Sequence, residues 1–225
     1  HWMEGPRTVP LNLAVLASGR GSNLKAILEA IKNGSLDAKV SVVICNVPGA
    51  GAIDHATAYG VRVALIPNAG IRRQEHEAKM LEELKRHDVD FIVLAGFMRV
   101  LSPEFLRSFR AAEGYYRVIN IHPSLLPAFP GTAGYEEAYN YGVAVSGITV
   151  HLVDEKVDHG PILAQETFPR FADDTLETFK TRGLAVEHAL YPKVLQRIAK
   201  EGVQFIPRRL AEEERLETAR EKVKP

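Results

Sequence analysis

"LNLAVLASGRGSNLKAILEAIKNG", residues 11–34, reads as a strand, a glycine turn and a helix in immediate succession. Leu11 to Ser18 form a largely apolar run of strand length, the composition of a strand covered on both faces. From Ser22 the apolar residues Leu24, Ile27, Leu28 and Ile31 recur at helical spacing until Gly34 stops the helix. The same alternation continues with strands at "VSVVICN" (40–46), "VRVALIP" (61–67) and "DFIVLAGF" (90–97). Between them lie a short helix near 51–59 and an amphipathic helix over 72–87. Ser102-Pro103-Glu104 opens a further helix with a cap and a proline at its first position, and Val118–His122 is the next strand. Strands alternating with helices predict an α/β fold: a Rossmann-like, mostly parallel twisted sheet with helices on both faces.

The last third breaks the rhythm. "VSGITVHLVD" (145–154) and "PILAQETFP" (161–169) are separated only by "EKVDHG", too short for a crossover helix, so they predict an antiparallel C-terminal strand pair at the sheet edge. A long helix comes next, capped near Asp174 or Thr175, with a break or kink expected at Pro192. The segment 208–225 is dense in charge and reads as a solvated helix or frayed end. We expect one domain over 1–202 and a charged tail over 203–225. His1-Trp2 ahead of Met3 look like a vector-derived scar and are set aside.

Lys+Arg and Asp+Glu both number 28, so the formal net charge is zero. That argues against a general nucleic-acid or membrane-surface binder, though not against a local basic pocket. No apolar run approaches the ~20 residues of a membrane span, and the N-terminus has no signal-like core. Cys45 is the only cysteine, so no internal disulfide forms and a reducing, cytoplasmic setting is allowed. The histidines show no metal-ligand spacing, and no metal is expected.

Ligands of such sheets bind beyond the carboxyl ends of the strands. That puts Ser18-Gly19, Cys45-Asn46, Phe97-Met98 and Asn120-His122 on one rim. "SGRGSN" (18–23) opens the first helix: either a single-phosphate site at a helix N-terminus or a tight turn capped by Ser22. It lacks the third glycine of a dinucleotide fingerprint and the Gly-Lys-Ser/Thr ending of a P-loop. Asn120 and His122 point the same way on their strand. They are either a structural pair or an oxyanion donor beside an acid–base group. Pro123, Pro127 and Pro130 stiffen the adjoining loop. Asp158, 36 residues after His122, can reach it only through the fold; in contact it would orient the imidazole and favour its charged form. His151, inside "ITVHLV", reads as a structural residue rather than a ligand. "GFMRVLSP" (96–103) is partly core and partly suited to line a groove for a flat aromatic ligand.

Four segments, "GRGSNL" (19–24), "LAGFMRVLSP" (94–103), "NIHPSLLPAFPG" (120–131) and "VDHGPILAQ" (157–165), have the order and spacing found in the glycinamide ribonucleotide formyltransferases. The chain resembles that family from about Leu11 to Gly202. "HPSLLP" alone marks only the wider folate-dependent formyltransferases; the Gly-Ser-Asn loop narrows the likeness. The resemblance implies formyl transfer from 10-formyltetrahydrofolate, a co-substrate, to the amine of glycinamide ribonucleotide in purine biosynthesis. It implies a catalytic trio of Asn120, His122 and Asp158. It implies ribonucleotide contacts at Gly21, Ser22, Asn23, Leu24, Lys25 and Glu187. Folate contacts fall on Arg73, Met98, Arg99, Val100, Leu101, Asn120 and Asp154. The implied partners are these two small molecules, in a cytoplasmic monomer or homodimer.

Thr132-Ala133-Gly134-Tyr135 departs from the family pattern, which often has a histidine near Ala133, and His159 occupies a position that is often small. Segments 131–144 and 154–160 are candidates for loops that close over the folate. Two related activities compete: a formyltetrahydrofolate deformylase and a methionyl-tRNA formyltransferase. The first usually carries "HHSFLP"-like residues and an N-terminal regulatory domain. The second needs a further C-terminal domain and a basic surface. A non-catalytic nucleotide-binding module is the third alternative.

Overall fold

The structure, a computed structural model, describes residues 10–207 and 219–223. His1-Trp2, read as a scar, and most of the charged tail read at 208–225 lie outside the described residues. Strands β1 (Leu11–Ala17), β2 (Ala38–Cys45), β3 (Val63–Leu65), β4 (Phe91–Leu94), β5 (Val118–His122), β6 (Val145–Leu152) and β7 (Ile162–Pro169) form one sheet, in the order β3-β2-β1-β4-β5-β6-β7. The first five run parallel. β6 returns antiparallel against β5, and β7 against β6, as the short link between them requires.

Helices cover both faces. β1 shows why: every residue of it is buried, and its side chains divide by parity. Leu11, Leu13, Val15 and Ala17 face a core shared with α1 (Ser22–Lys32), α2 (Gly51–Ala58), α5 (Gly134–Tyr141) and α6 (Leu176–Glu201). Ala14 and Leu16 face a second core closed by α3 (Arg73–Leu84) and α4 (Pro103–Arg107). Each fully buried Leu or Val contributes roughly 1.5–3 kcal/mol, so the central strand anchors both layers.

Several local expectations change. Residues 131–144 are not a plain loop: α5 occupies most of them, starting at Gly134 behind an N-cap, Ala133, that makes no side-chain cap. With no capping residue and a glycine at its start, that helix gives little sequence signal. Pro192 neither ends nor interrupts α6, which runs through to Glu201 with a capping box at Thr175 and Thr178. An interior proline costs about 3 kcal/mol, offset here because Leu190, Tyr191, Val194 and Leu195 around it are buried. The chain also packs beyond Gly202, where Val203 and Phe205 lie on the main core and Phe205 meets Tyr115 edge-on at 6.3 Å.

The sheet opens at the expected rim. β4 and β5 share only the rungs Ile92–Val118 and Val93–Ile119. Just past them, the fully buried Tyr191 of α6 donates its hydroxyl to the carbonyls of Leu94 (2.7 Å) and Ile119 (3.1 Å). The strands part there, and Asn120 is the next residue.

Candidate active site

Asn120 and His122 share a face of β5, as strand alternation demands. Antiparallel β6 sets His151 opposite Asn120 and Thr149 opposite His122. The His122 ring is 3% exposed. Its Nε2 lies 2.7 Å from the Phe129 carbonyl. A carbonyl only accepts, so Nε2 carries a hydrogen. That leaves Nδ1 as the nitrogen free to gain or lose a proton, and it faces Asp158 Oδ1 at 3.6 Å. The other Asp158 oxygen accepts from the Gly131 N–H at 2.7 Å. Asp158 itself sits at φ 51, a left-handed conformation that Asp tolerates better than most residues. The fold thus makes the contact that sequence could only postulate. Among the described residues nothing takes up the half-buried Asn120 carboxamide.

The proline loop is held from outside as well as by its own rings. Thr149 Oγ1 donates to the Ser124 carbonyl (2.7 Å) and accepts from the Leu126 N–H (3.1 Å). Gln165 Nε2 donates to the Leu126 carbonyl at 2.9 Å. Strands β6 and β7 therefore fix the wall beside His122.

On one flank stands the N-terminus of α1. Gly21, not Ser22, holds the cap position, at φ 76 and with no side-chain cap; Ser22 is the first helical residue and is exposed. A Cβ on Gly21 would sit 2.6 Å from Ala52 Cα. The first helical hydrogen bond runs from Lys25 N to Gly21 O at 2.9 Å, which leaves the N–H groups of Ser22, Asn23 and Leu24 at an open, positive helix end. Leu24 is fully buried, so only its backbone can meet a ligand. Lys25 is exposed and sits 3.8 Å from Glu29. Asn23 Nδ2 donates to Glu187 Oε1 at 3.0 Å, joining two predicted ribonucleotide residues 164 positions apart.

On the other flank, beyond the end of β4, Met98 and Val100 expose 68% and 55% of their surface, apolar groups in water. Arg99 is half-buried. Leu101 is buried in the second core, so a ligand could meet only its backbone. Arg73, at the start of α3, reaches the Val100 carbonyl at 3.5 Å. Asp154 spends both oxygens within its own turn, on the Lys156 N–H (2.8 Å) and on His159 Nδ1 (2.6 Å). The flanks are tied together beneath the rim. The Met98 N–H donates to Ser18 Oγ (2.9 Å), and Ser18 donates to Asn46 Oδ1 (2.6 Å).

Residues 11–195 match the formyl transferase family. This chain belongs to it. It is 40% identical over 186 residues to the phosphoribosylglycinamide formyltransferase of Bacillus subtilis, covering 82% of this chain and 93% of that one. The Escherichia coli enzyme of the same name is 37% identical over 186 residues, covering 82% and 85%. Among solved structures, phosphoribosylglycinamide formyltransferase from Bacillus halodurans superposes with a TM-score of 0.78 at 40% identity, over 83% of this chain and 94% of that one. Glycinamide ribonucleotide transformylase 1 from Symbiobacterium toebii does so at 0.80 and 38%, over 86% and 89%.

Two residues beside this candidate site are not assigned to it by the sequence reading. Tyr135 donates a short hydrogen bond to Glu187 Oε2; the only signal for it is an aromatic in a Gly-rich segment, which resembles any loop. His151 reads as structural, and its Nδ1 does donate to the Leu152 carbonyl (2.9 Å), but buried Nε2 has no partner among the described residues. Burial holds its imidazole below the ordinary histidine range, so it stands neutral beside Asn120. Antiparallel pairing of β6 is the clue that brings it in.

Proposed function

We propose that this chain transfers the formyl group of 10-formyltetrahydrofolate to the amine of glycinamide ribonucleotide, acting on two small-molecule substrates in the cytoplasm. One observation carries the reading. An amide, an imidazole and a carboxylate converge at the end of β5, between an uncapped helix N-terminus and an exposed apolar strip.

Each flank suits one substrate. The N–H groups of Ser22, Asn23 and Leu24, after Gly21, would cradle a phosphate, with Lys25 adding charge and Glu187 accepting from the sugar-amine portion. Met98 and Val100 would cover a flat ring, with Arg73, Arg99, the Leu101 backbone and the Asp154 turn around it. Between them the acceptor amine attacks the formyl carbon, and the carbonyl oxygen takes up the negative charge. Asn120 donates to that oxyanion, and so does His122 when its Nδ1 is protonated. Asp158 balances the imidazolium. The proton shed by the attacking amine returns to the folate nitrogen as the tetrahedral intermediate collapses, with His122 and Asp158 as the relay.

The test is a single assay of purified protein with 10-formyltetrahydrofolate, with and without glycinamide ribonucleotide. Release of tetrahydrofolate that requires the ribonucleotide is the expected result. Release that ignores it would make the chain a deformylase, and no release at all would leave a binding module.

A further inference from the structure

Glu187 is a carboxylate at 6% exposure, and a buried charge needs donors to stay where it is. It has two among the described side chains: Asn23 Nδ2 on one oxygen and the Tyr135 hydroxyl on the other. Asn23 belongs to the helix end already assigned to the phosphate. Tyr135 comes from α5, on the opposite side of Glu187, and has no place in the chemistry above.

The packing around Tyr135 is specific to it. The residue is 5% exposed. Its ring stands at right angles to Phe179 with centroids 6.2 Å apart, and tilted against Phe168 at 6.4 Å. It also fills the space beside Gly183, where a Cβ would lie 2.3 Å from Tyr135 Cε1 and 2.8 Å from its hydroxyl oxygen. Gly183 precedes Glu187 by one helical turn on the same face of α6. The helix gives up a side chain at 183, and the tyrosine uses that gap to reach 187. Burial and the neighbouring carboxylate push the hydroxyl far above its ordinary range, so it always donates.

A carboxylate offers about four lone-pair sites. Two are occupied by protein donors, and the buried Asn23 Oδ1 beside them has no partner among the described residues. Glu187 and Asn23 therefore present fixed, unfilled acceptor capacity next to the open helix end. A phosphorylated ligand carrying hydroxyl or amine donors suits that pattern. We propose that Tyr135 is a positioning residue for the acceptor substrate: its hydroxyl locks the Glu187 carboxylate in the orientation that receives the ribonucleotide, without touching the reacting atoms. This rests on the reading of Glu187 as a ribonucleotide contact.

Tyr135→Phe keeps every ring contact and deletes only the hydroxyl, so folding is preserved and a urea midpoint can verify it. The expected result is a rise of roughly tenfold in KM for glycinamide ribonucleotide, the order of one hydrogen bond to a charged group, with KM for 10-formyltetrahydrofolate unchanged and kcat within about threefold. In the Glu187→Gln background the same change should add little, because the two residues act as one unit. If Tyr135→Phe leaves the ribonucleotide KM unchanged while Glu187→Gln raises it, the positioning role is overturned and the Glu187 contact survives. If neither moves it, both fall. Equal rises in both KM values would mark general loosening and would also overturn the proposal.

Discussion

The two flanks of the cleft are built by opposite means. The flank proposed for the acceptor is wired: Gly21 is pressed against Ala52, and both oxygens of Glu187 are held, by Asn23 and Tyr135. The flank proposed for the donor is open, with Met98 and Val100 left largely in solvent and Arg73 on a long 3.5 Å contact to a backbone carbonyl. A buried polar site must be fixed before its ligand arrives, because an unpartnered charge is costly. An apolar strip carries no such penalty and can adapt as it closes. Substitutions should therefore act steeply on one flank and mildly on the other.

The largest effects belong to the groups both flanks share. Asn120→Ala or His122→Ala should each cost about 10²–10³ in kcat, the usual loss for one oxyanion donor, with the protein still folded. A variant keeping near-full turnover would remove that residue from the chemistry and leave the flanks with nothing to serve. Next comes Gly21→Ala. A left-handed backbone position costs roughly 1–2 kcal/mol for a non-glycine residue, and the clash at Ala52 adds roughly 1–3 kcal/mol more. Denaturant unfolding should show that loss, together with a raised ribonucleotide KM; a silent variant would mean that the acceptor flank is softer than its contacts imply.

A control sits at the far end of α3, the helix that begins with Arg73. Buried Glu83 accepts from Arg62 at 2.7 Å, His87 at 3.0 Å and Arg86 at 3.1 Å. Arg62 first, and then His87, pull its carboxyl down to about 2 from an ordinary 4.5 against the opposing effect of burial. A carboxylate with a depressed value stabilises the fold above its unfolded pKa and loses that contribution as pH falls through the folded one. Glu83→Gln should therefore lower stability by about 1–3 kcal/mol at neutral pH. The gap to the parent should shrink between about pH 4.5 and pH 2, with both KM values untouched. Tight wiring would then be shown to matter to substrates only where it faces the cleft. The smallest effect is expected on the open flank: Met98→Ala should raise the folate KM a few-fold and leave stability within about 0.5 kcal/mol. A loss as steep as that from Gly21→Ala would erase the contrast.

The same contrast governs what the sequence discloses. The sheet, its parallel strands and the antiparallel C-terminal pair are legible in apolar runs and link lengths, and Asn120 and His122 in strand alternation. The hidden features depend on contacts between distant segments. The Asp158–His122 approach needs β6 to fold back on β5. The grip on Glu187 needs α5, whose uncapped start at Ala133-Gly134 looks like a loop. Ser22 has the chemistry of a cap, yet close packing at Ala52 gives the cap position to Gly21. Pro192 reads as a break or kink, and burial around it keeps the helix unbroken. Local pattern thus reveals the frame and the residues that line its edge, while the partners that hold those residues still come from elsewhere in the chain.

Tyr191 ties the site's dimensions to a single helix. Its hydroxyl stands in for the missing rung between β4 and β5, and Glu187 lies one turn before it on α6. Four residues of helix span about 6 Å, so the separation between the parted strands and the acceptor's grip is set by a ruler of peptide units. Side chains along that ruler can be exchanged one at a time. Its length cannot: a single residue inserted between Glu187 and Tyr191 would swing one mark about 100° away from the other, leaving the donor and acceptor halves of the cleft out of register.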